Sequence, residues 1–255
     1  MNGRTPQQPR YMPVESDGRL AVFIHGITEG PDQFAPLMAE ANAAGYSAVS
    51  LLLPGHGGSA TDFARTNEQE WTAYVRTRLE QAREQYGHIV LVGHSMGTLL
   101  SFLAYAERPQ NIVGIVAIAS PLVVRVRRRA VRNLLRAGLS RQLSPDDPAA
   151  SVAQASSVAQ GPALGYVAWL PRLADLFRLI ARTRKVLKEV SVPTLVVHAD
   201  GDELVGAASL RIFRREVPAR YLDIARLPHS THFTYDETDR LTLHRLFRDF
   251  LAARR

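Results

Sequence analysis

The chain contains no cysteine, which excludes a disulfide framework, a thiolate metal site and a cysteine nucleophile. Lysine is almost missing as well. Lys185 and Lys188 are the only two, so a formal net charge of +7 is carried by arginine. No apolar run is long enough to span a membrane; the longest, from Ile112 to Val124, is interrupted by Gly114, Ser120 and Pro121. Met1 to Pro13 is rich in Pro and Gln and lacks the apolar core of a secretory signal, so it is expected to be a flexible tail on a cytoplasmic protein. A dinucleotide fingerprint, a Walker loop and a histidine pair at zinc spacing are all absent, and neither a cofactor nor a metal is expected. The basic charge comes without a nucleic-acid-binding module or an aromatic platform, so nucleic acid is not an expected partner.

What is present is an alternation of short apolar runs with helical patterns. Leu20 to Ile24, Ser47 to Leu53, His88 to Val92, Ile112 to Ala119, Pro193 to His198 and Tyr221 to Ile224 read as strands, several of them apolar throughout, as strands covered on both faces are. Between them, Gln33 to Ala44, Thr66 to Tyr86, Ala207 to Arg215 and the stretch opened by Asp236 carry helical spacing. This pattern predicts an α/β fold, a mostly parallel doubly wound sheet with right-handed crossovers. It breaks from Pro121 to Val190, where no strand is predicted. There a basic amphipathic helix over Val123 to Leu139 is expected, then a Ser/Ala/Gln/Pro/Gly-rich stretch to Gly165, then a helix over Leu173 to Val190. The expected organisation is a tail (1–13), a core (14–120 and 191–255) and a helical cap (121–190) inserted after the fourth predicted strand.

One stretch carries chemistry. Gly93-His94-Ser95-Met96-Gly97 follows an apolar strand and opens a helix through Leu99, Leu100, Phe102 and Leu103, the context that a G-x-S-x-G nucleophile elbow requires. A serine hydroxyl is a weak nucleophile, and needs an imidazole to take its proton and a carboxylate to orient that imidazole. Later strands end in Asp200-Gly201-Asp202-Glu203 and in a loop carrying His229 and His232, giving Ser, Asp and His in that order. Developing negative charge on the carbonyl oxygen calls for donors, and the backbone amides of Ile27, after the first long strand, and Met96, at a helix N-terminus, are available to supply them.

The chain resembles the α/β-hydrolases, and among them small bacterial carboxylesterases and monoacylglycerol-lipase-like enzymes. The resemblance rests on His25-Gly26, the Gly55-His56-Gly57-Gly58-Ser59 loop, the Gly93 to Gly97 elbow and a D-x-x-V loop, here Asp202-Glu203-Leu204-Val205. It covers the catalytic core and fades over 121–190. It implies Ser95 as nucleophile, Asp202 rather than Asp200 as the acid, and His232, followed by Phe233, rather than His229 as the base. It also implies a small-molecule ester substrate, with thioesterase, acyltransferase, cofactor-free perhydrolase or a silent binding protein as rivals. His25, His56 and His94 are expected to hydrogen-bond loops rather than act as bases. Leu122, Trp169 and Phe177 are candidates to line an acyl pocket. The arginines from Arg125 to Arg136 have two readings, a solvated helix face and a weak contact with an anionic membrane surface.

Overall fold

The computed structural model describes residues 7–15, 18–129, 132, 133, 136, 144, 147–159 and 167–254. Its strands are β1 (Arg10–Met12), β2 (Arg19–Ile24), β3 (Ser47–Ser50), β4 (His88–His94), β5 (Ile112–Ile118), β6 (Thr194–Ala199) and β7 (Leu222–Leu227). The helices are α1 (Ala35–Ala43), α2 (Ala60–Arg65), α3 (Glu68–Arg83), α4 (Met96–Glu107), α5 (Pro148–Ala155), α6 (Leu170–Val186), α7 (Ala208–Glu216) and α8 (Glu237–Ala252).

The strands form one sheet in the order β1-β3-β2-β4-β5-β6-β7. Every neighbour is parallel except β1, which runs antiparallel to β3 with Tyr11 opposite Val49. β1 corrects the expectation of a flexible tail over 1–13, since Arg10–Met12 covers the sheet edge; residues 1–6 lie outside the described residues. Pleating divides each strand between two cores. Leu20, Val22 and Ile24 of β2 join Trp71, Leu79, Phe102, Leu179 and Phe213 on one face. Ala21 and Phe23 join Phe34, Met38, Tyr46 and Phe247 on the other. Strands apolar at every position are buried by helices on both sides, which is the doubly wound architecture.

Local chemistry sets the helix starts. The expected helix over Thr66 to Tyr86 begins two residues later, because Thr66 is extended and the Asn67 side chain caps α3 by accepting from the amides of Gln69 and Glu70, each at 3.0 Å. A short α2 precedes it, with Ser59 and Asp62 bonding reciprocally in a capping box.

The region between β5 and β6 departs most from expectation. Val123 to Arg127, expected as the start of a basic helix, is extended. Val124 forms an antiparallel bridge with Val205, Arg125 N donates to Leu204 O at 2.8 Å and Arg127 N to Glu203 O at 2.9 Å. The β-branched Val123, Val124 and Val126 suit this conformation, and the loop after β6 offers the backbone partners. Helical turns begin at Arg128; part of the Arg125 to Arg136 cluster and of the stretch to Gly165 lies outside the described residues. The exposed arginines here therefore do not form the single amphipathic helix on which a membrane-surface reading rested.

α6 is held by charge as well as by Leu179 and Ile180. The buried Asp175 carboxylate lies 2.7 Å from Arg172 Nε, an ion pair at an angle unlike that of a hydrogen bond, and accepts from Arg178 Nη2. Arg182 pairs at 2.6 Å with Glu68, a buried residue of α3. Removing one partner of a buried pair leaves the other charge uncompensated. Asp175→Ala is expected to lower unfolding stability by about 3 kcal/mol, measured as a shift in the urea midpoint with an unchanged slope.

Candidate active site

Ser95 occupies a turn that only its neighbours make possible. Its backbone has φ 51° and ψ −123°, outside the ordinary regions for an L residue and costing about 1–3 kcal/mol. The turn exists because α4 crosses close to β2: a Cβ on Gly97 would stand 1.9 Å from Ile24 O. The strain is countered by Ser95 N donating to Ile118 O at 2.9 Å and by Thr98 N and Oγ1 donating to Ser95 O.

The loop after β2 passes beside this turn. His25 Nε2 accepts from Leu53 N at 3.1 Å, which leaves Nδ1 to donate to Gly26 O at 2.9 Å. His56 Nε2 donates to Ile27 O at 2.8 Å. Burial, with the nearby His56, lowers the His25 pKa to about 3, and burial lowers that of His56 too. Both imidazoles therefore serve as neutral hydrogen-bonding pieces that shape the loop carrying Ile27. Among the described residues, no acceptor takes up the N–H of Ile27 or of Met96.

His232 and Asp202 meet at the carboxyl edge. The loop after β7 is tied down by Asp239, which accepts from His229 N and Ser230 Oγ, each at 2.7 Å, and by Gly201 N donating to Ser230 O at 3.0 Å. His232 is buried, and its Nδ1 donates to Asp202 Oδ2 at 2.8 Å, while Asp202 Oδ1 accepts from the amides of Leu204 and Val205, each at 2.8 Å. Burial alone would raise the Asp202 pKa, but the imidazole and those two amides bring it below the usual carboxylate value. Burial alone would lower the His232 pKa, but Asp202, Glu29 and Glu203 raise it. The alternatives are engaged elsewhere: Asp200 pairs with Arg226 at 2.8 Å, and His229 is exposed. The His232 ring lies 5.0 Å from that of His94, the residue before Ser95, and edge-on to Phe233 at 4.6 Å.

A further carboxylate, not singled out by the sequence, stands in the same place. Glu29 is buried; its Oε2 accepts from Gly26 N at 2.6 Å, Gln33 Nε2 at 2.8 Å and His94 Nδ1 at 2.8 Å, and its Oε1 lies 3.8 Å from His232 Nε2. Gly26 permits this approach, because a Cβ there would fall 2.4 Å from the carboxylate. Burial opposes ionisation, yet His94, His232 and Gln33 take the Glu29 pKa down to about 2. Glu29 thus joins the loop bearing Ile27 to the elbow bearing Ser95. The Ile27-Thr28-Glu29-Gly30 stretch has no periodicity that marks it as inward-facing, so only the folded loop reveals it.

Of the expected pocket residues, Leu122 is buried in the core and Trp169 donates from Nε1 to Ala60 O at 3.2 Å while its ring meets Phe63 edge-on. Phe177 stands apart from both. It is 56% exposed, because the apolar stripe of α6 turns Leu179 and Ile180 inward and Phe177 away. The segment after α5 reaches the site instead. Ser157 N donates to Thr28 O at 3.0 Å, its hydroxyl donates to Glu29 O, and Ala149, Val152 and Ala153 of α5 pack against Phe233.

A mostly parallel sheet, a strained serine at the β4–α4 turn and an imidazole–carboxylate pair beyond later strands define an α/β-hydrolase. The chain belongs to the Hydrolase_4 family, described as serine aminopeptidase, S33, whose model matches residues 16–239. It is 27% identical over 217 residues to a thermostable monoacylglycerol lipase of Bacillus sp. (strain H-257), covering 83% of this chain and 81% of the relative. It is 22% identical over 245 residues to a carboxylesterase of Bacillus subtilis (strain 168), covering 95% and 96%. Its fold matches the crystal structure of a Paleococcus ferrophilus monoacylglycerol lipase with a TM-score of 0.72 at 18% identity, over 96% of this chain and 98% of that one.

Titration of His232, followed by NMR of its ring nitrogens, is expected to have a midpoint above the ordinary imidazole value of 6.5. Among the described residues, the titratable groups around the ring include Asp202 and Glu203 from the loop after β6, Glu29 from the loop after β2, His94 from β4 and His198 from β6. Glu29→Gln removes one of the three carboxylates that favour the imidazolium, so the midpoint moves down. A midpoint unmoved by that change contradicts the electrostatic role given to Glu29.

Proposed function

We propose that this chain hydrolyses carboxylic esters through an acyl-enzyme on Ser95, with His232 as base and then acid, Asp202 as its orienting carboxylate and the Ile27 and Met96 amides as the oxyanion donors. The observation that carries this reading is the buried His232–Asp202 pair, at 2.8 Å, beside the strained Ser95 turn. The pair fixes the tautomer that a serine needs: with Nδ1–H given to Asp202, Nε2 is left to accept the hydroxyl proton. Oγ then bonds to the ester carbonyl carbon, and the negative charge that passes to oxygen meets the two amides. Collapse breaks the carbon–oxygen bond to the alcohol, which leaves with the proton from Nε2. Water repeats the sequence on the acyl-enzyme and releases the acid. No cofactor enters these steps.

The substrate class is read from the relatives. The family's description speaks of an aminopeptidase; of the relatives matched over most of this chain, one is named a monoacylglycerol lipase, one a carboxylesterase and one a 2-(acetamidomethylene)succinate hydrolase, and two of these three names are ester-cleaving. Esters of short to medium acyl chains and monoacylglycerols are accordingly the substrates we assign. Segment 121–190 acts as the cap over the site, its α5 resting on Phe233 and Ser157 on the loop of Ile27.

Ser95→Ala is expected to abolish ester turnover and labelling by a fluorophosphonate probe while leaving the unfolding midpoint within about 1 kcal/mol of wild type. Turnover that survives in this variant overturns the mechanism. A series of p-nitrophenyl esters reads the cap: a maximum at short chains makes the enzyme a carboxylesterase, and one at long chains or on monoglycerides makes it a lipase. Thioesters turned over faster than all of these would overturn the ester assignment.

A further inference from the structure

We propose that Glu29, His94 and His232 together form a reversible, inhibitory binding site for a zinc-type dication. The three residues come from the loop after β2, the end of β4 and the loop after β7, and all are buried. Their donor atoms lie within 4.8 Å of one another: His94 Nδ1 is 2.8 Å from Glu29 Oε2, and His232 Nε2 is 3.8 Å from Glu29 Oε1. An ion bonded at about 2.0–2.2 Å to each ligand of a tetrahedron keeps those ligands roughly 3.4 Å apart. Two spacings lie on either side of that value and all lie within 4.8 Å, so side-chain rotations that move the donors by about an ångström bring them onto one ion.

The donor set is also the right kind. Two imidazole nitrogens and one carboxylate suit zinc, and three protein ligands leave a fourth position for water. The surrounding shell is already built. Asp202 accepts from Nδ1 of His232, which directs the Nε2 lone pair toward Glu29, and Gln33 and Gly26 hold the Glu29 carboxylate in place. Such partners orient metal ligands and strengthen binding. No spacing in the linear sequence marks this site, because its ligands are 65 and 138 residues apart along the chain and meet only at the sheet edge.

Binding has a defined chemical balance. The ion takes the lone pairs of His94 Nδ1 and His232 Nε2, and the proton that His94 had directed at Glu29 is exchanged through solvent from Nδ1 to Nε2, so the ring binds as a neutral imidazole with no net loss of a proton. His232 can then no longer accept a proton from Ser95. The inhibitory half of the proposal rests on the hydrolytic mechanism above; the binding half does not.

The test measures binding directly. Metal-free enzyme is titrated with ZnCl2 by calorimetry, and with Co2+ while its visible absorption is followed. One ion per chain and an intense tetrahedral cobalt band are expected. Ser95→Ala keeps all three donors and is expected to bind with unchanged affinity. Glu29→Gln and His94→Gln, each shown to unfold cooperatively, are expected to weaken binding by more than about tenfold. Zinc is expected to stop ester turnover in the wild type, and EDTA to restore it. Absence of binding, or binding of equal strength in both ligand variants, overturns the site. Zinc binding to an enzyme without esterase activity upholds the site and removes only the hydrolytic reading; esterase activity indifferent to saturating zinc removes the inhibitory role.

Discussion

The close crossing of α4 over β2 is the constraint on which the rest depends. With 1.9 Å between Ile24 O and the place of a Gly97 Cβ, helix and strand touch through backbone alone. That contact sets the end of β2 beside the start of α4, and so brings two otherwise distant amides, Ile27 and Met96, to one end of the sheet. It also forces the turn at Ser95 into a conformation that costs energy. The hydrogen bonds to Ile118 and Thr98, together with apolar burial on both faces of β4, hold it there.

Around this crossing the protein buries the carboxylates of Asp202 and Glu29, and both are matched. Taking a carboxylate out of water costs several kcal/mol unless hydrogen bonds and opposite charge offset it. Asp202 has two backbone amides and an imidazole; Glu29 has an amide, a side-chain amide and an imidazole. The histidines divide by environment. His25 and His56, in contact with each other and with carbonyls, are kept neutral and set loop shape. His232, faced by carboxylates, is pushed the other way. The same residue type thus takes opposite pKa shifts according to what surrounds it.

The segment between β5 and β6 ties its own position to the loops of the site. Val124 and Arg125 run along the loop that carries Asp202, Ser157 bonds to the loop that carries Ile27 and Glu29, and α5 covers Phe233. Composition alone pointed to a helix at Val123 to Arg127, since arginine and valine alternate with a helical stripe. Backbone carbonyls at Glu203 and Leu204 overrode it, because β-branched residues lose little by extending and the extended segment satisfies donors that a helix start leaves free.

The sequence by itself determined the architecture and the setting of Ser95. Unbroken apolar runs inside β2, β4 and β5 demand burial on both faces, and two glycines around a serine between such a strand and a helix allow only a tight turn. Asp202 and His232 stood out by their order and their place after later strands, and the fold pairs the two side chains. Tertiary structure alone decided what those residues meet. Glu29 sits in an aperiodic loop, and His94 in a strand end where nothing local says which group it faces; their pairing arises because β2 and β4 are adjacent in the sheet. Phe177 and the short edge strand Arg10–Met12 were decided in the same way, one by the rotation of α6 against its buried ion pairs and the other by an open edge at β3. Periodicity records which face of an element is buried, whereas the partner across that face is set by chain topology, which no local pattern encodes.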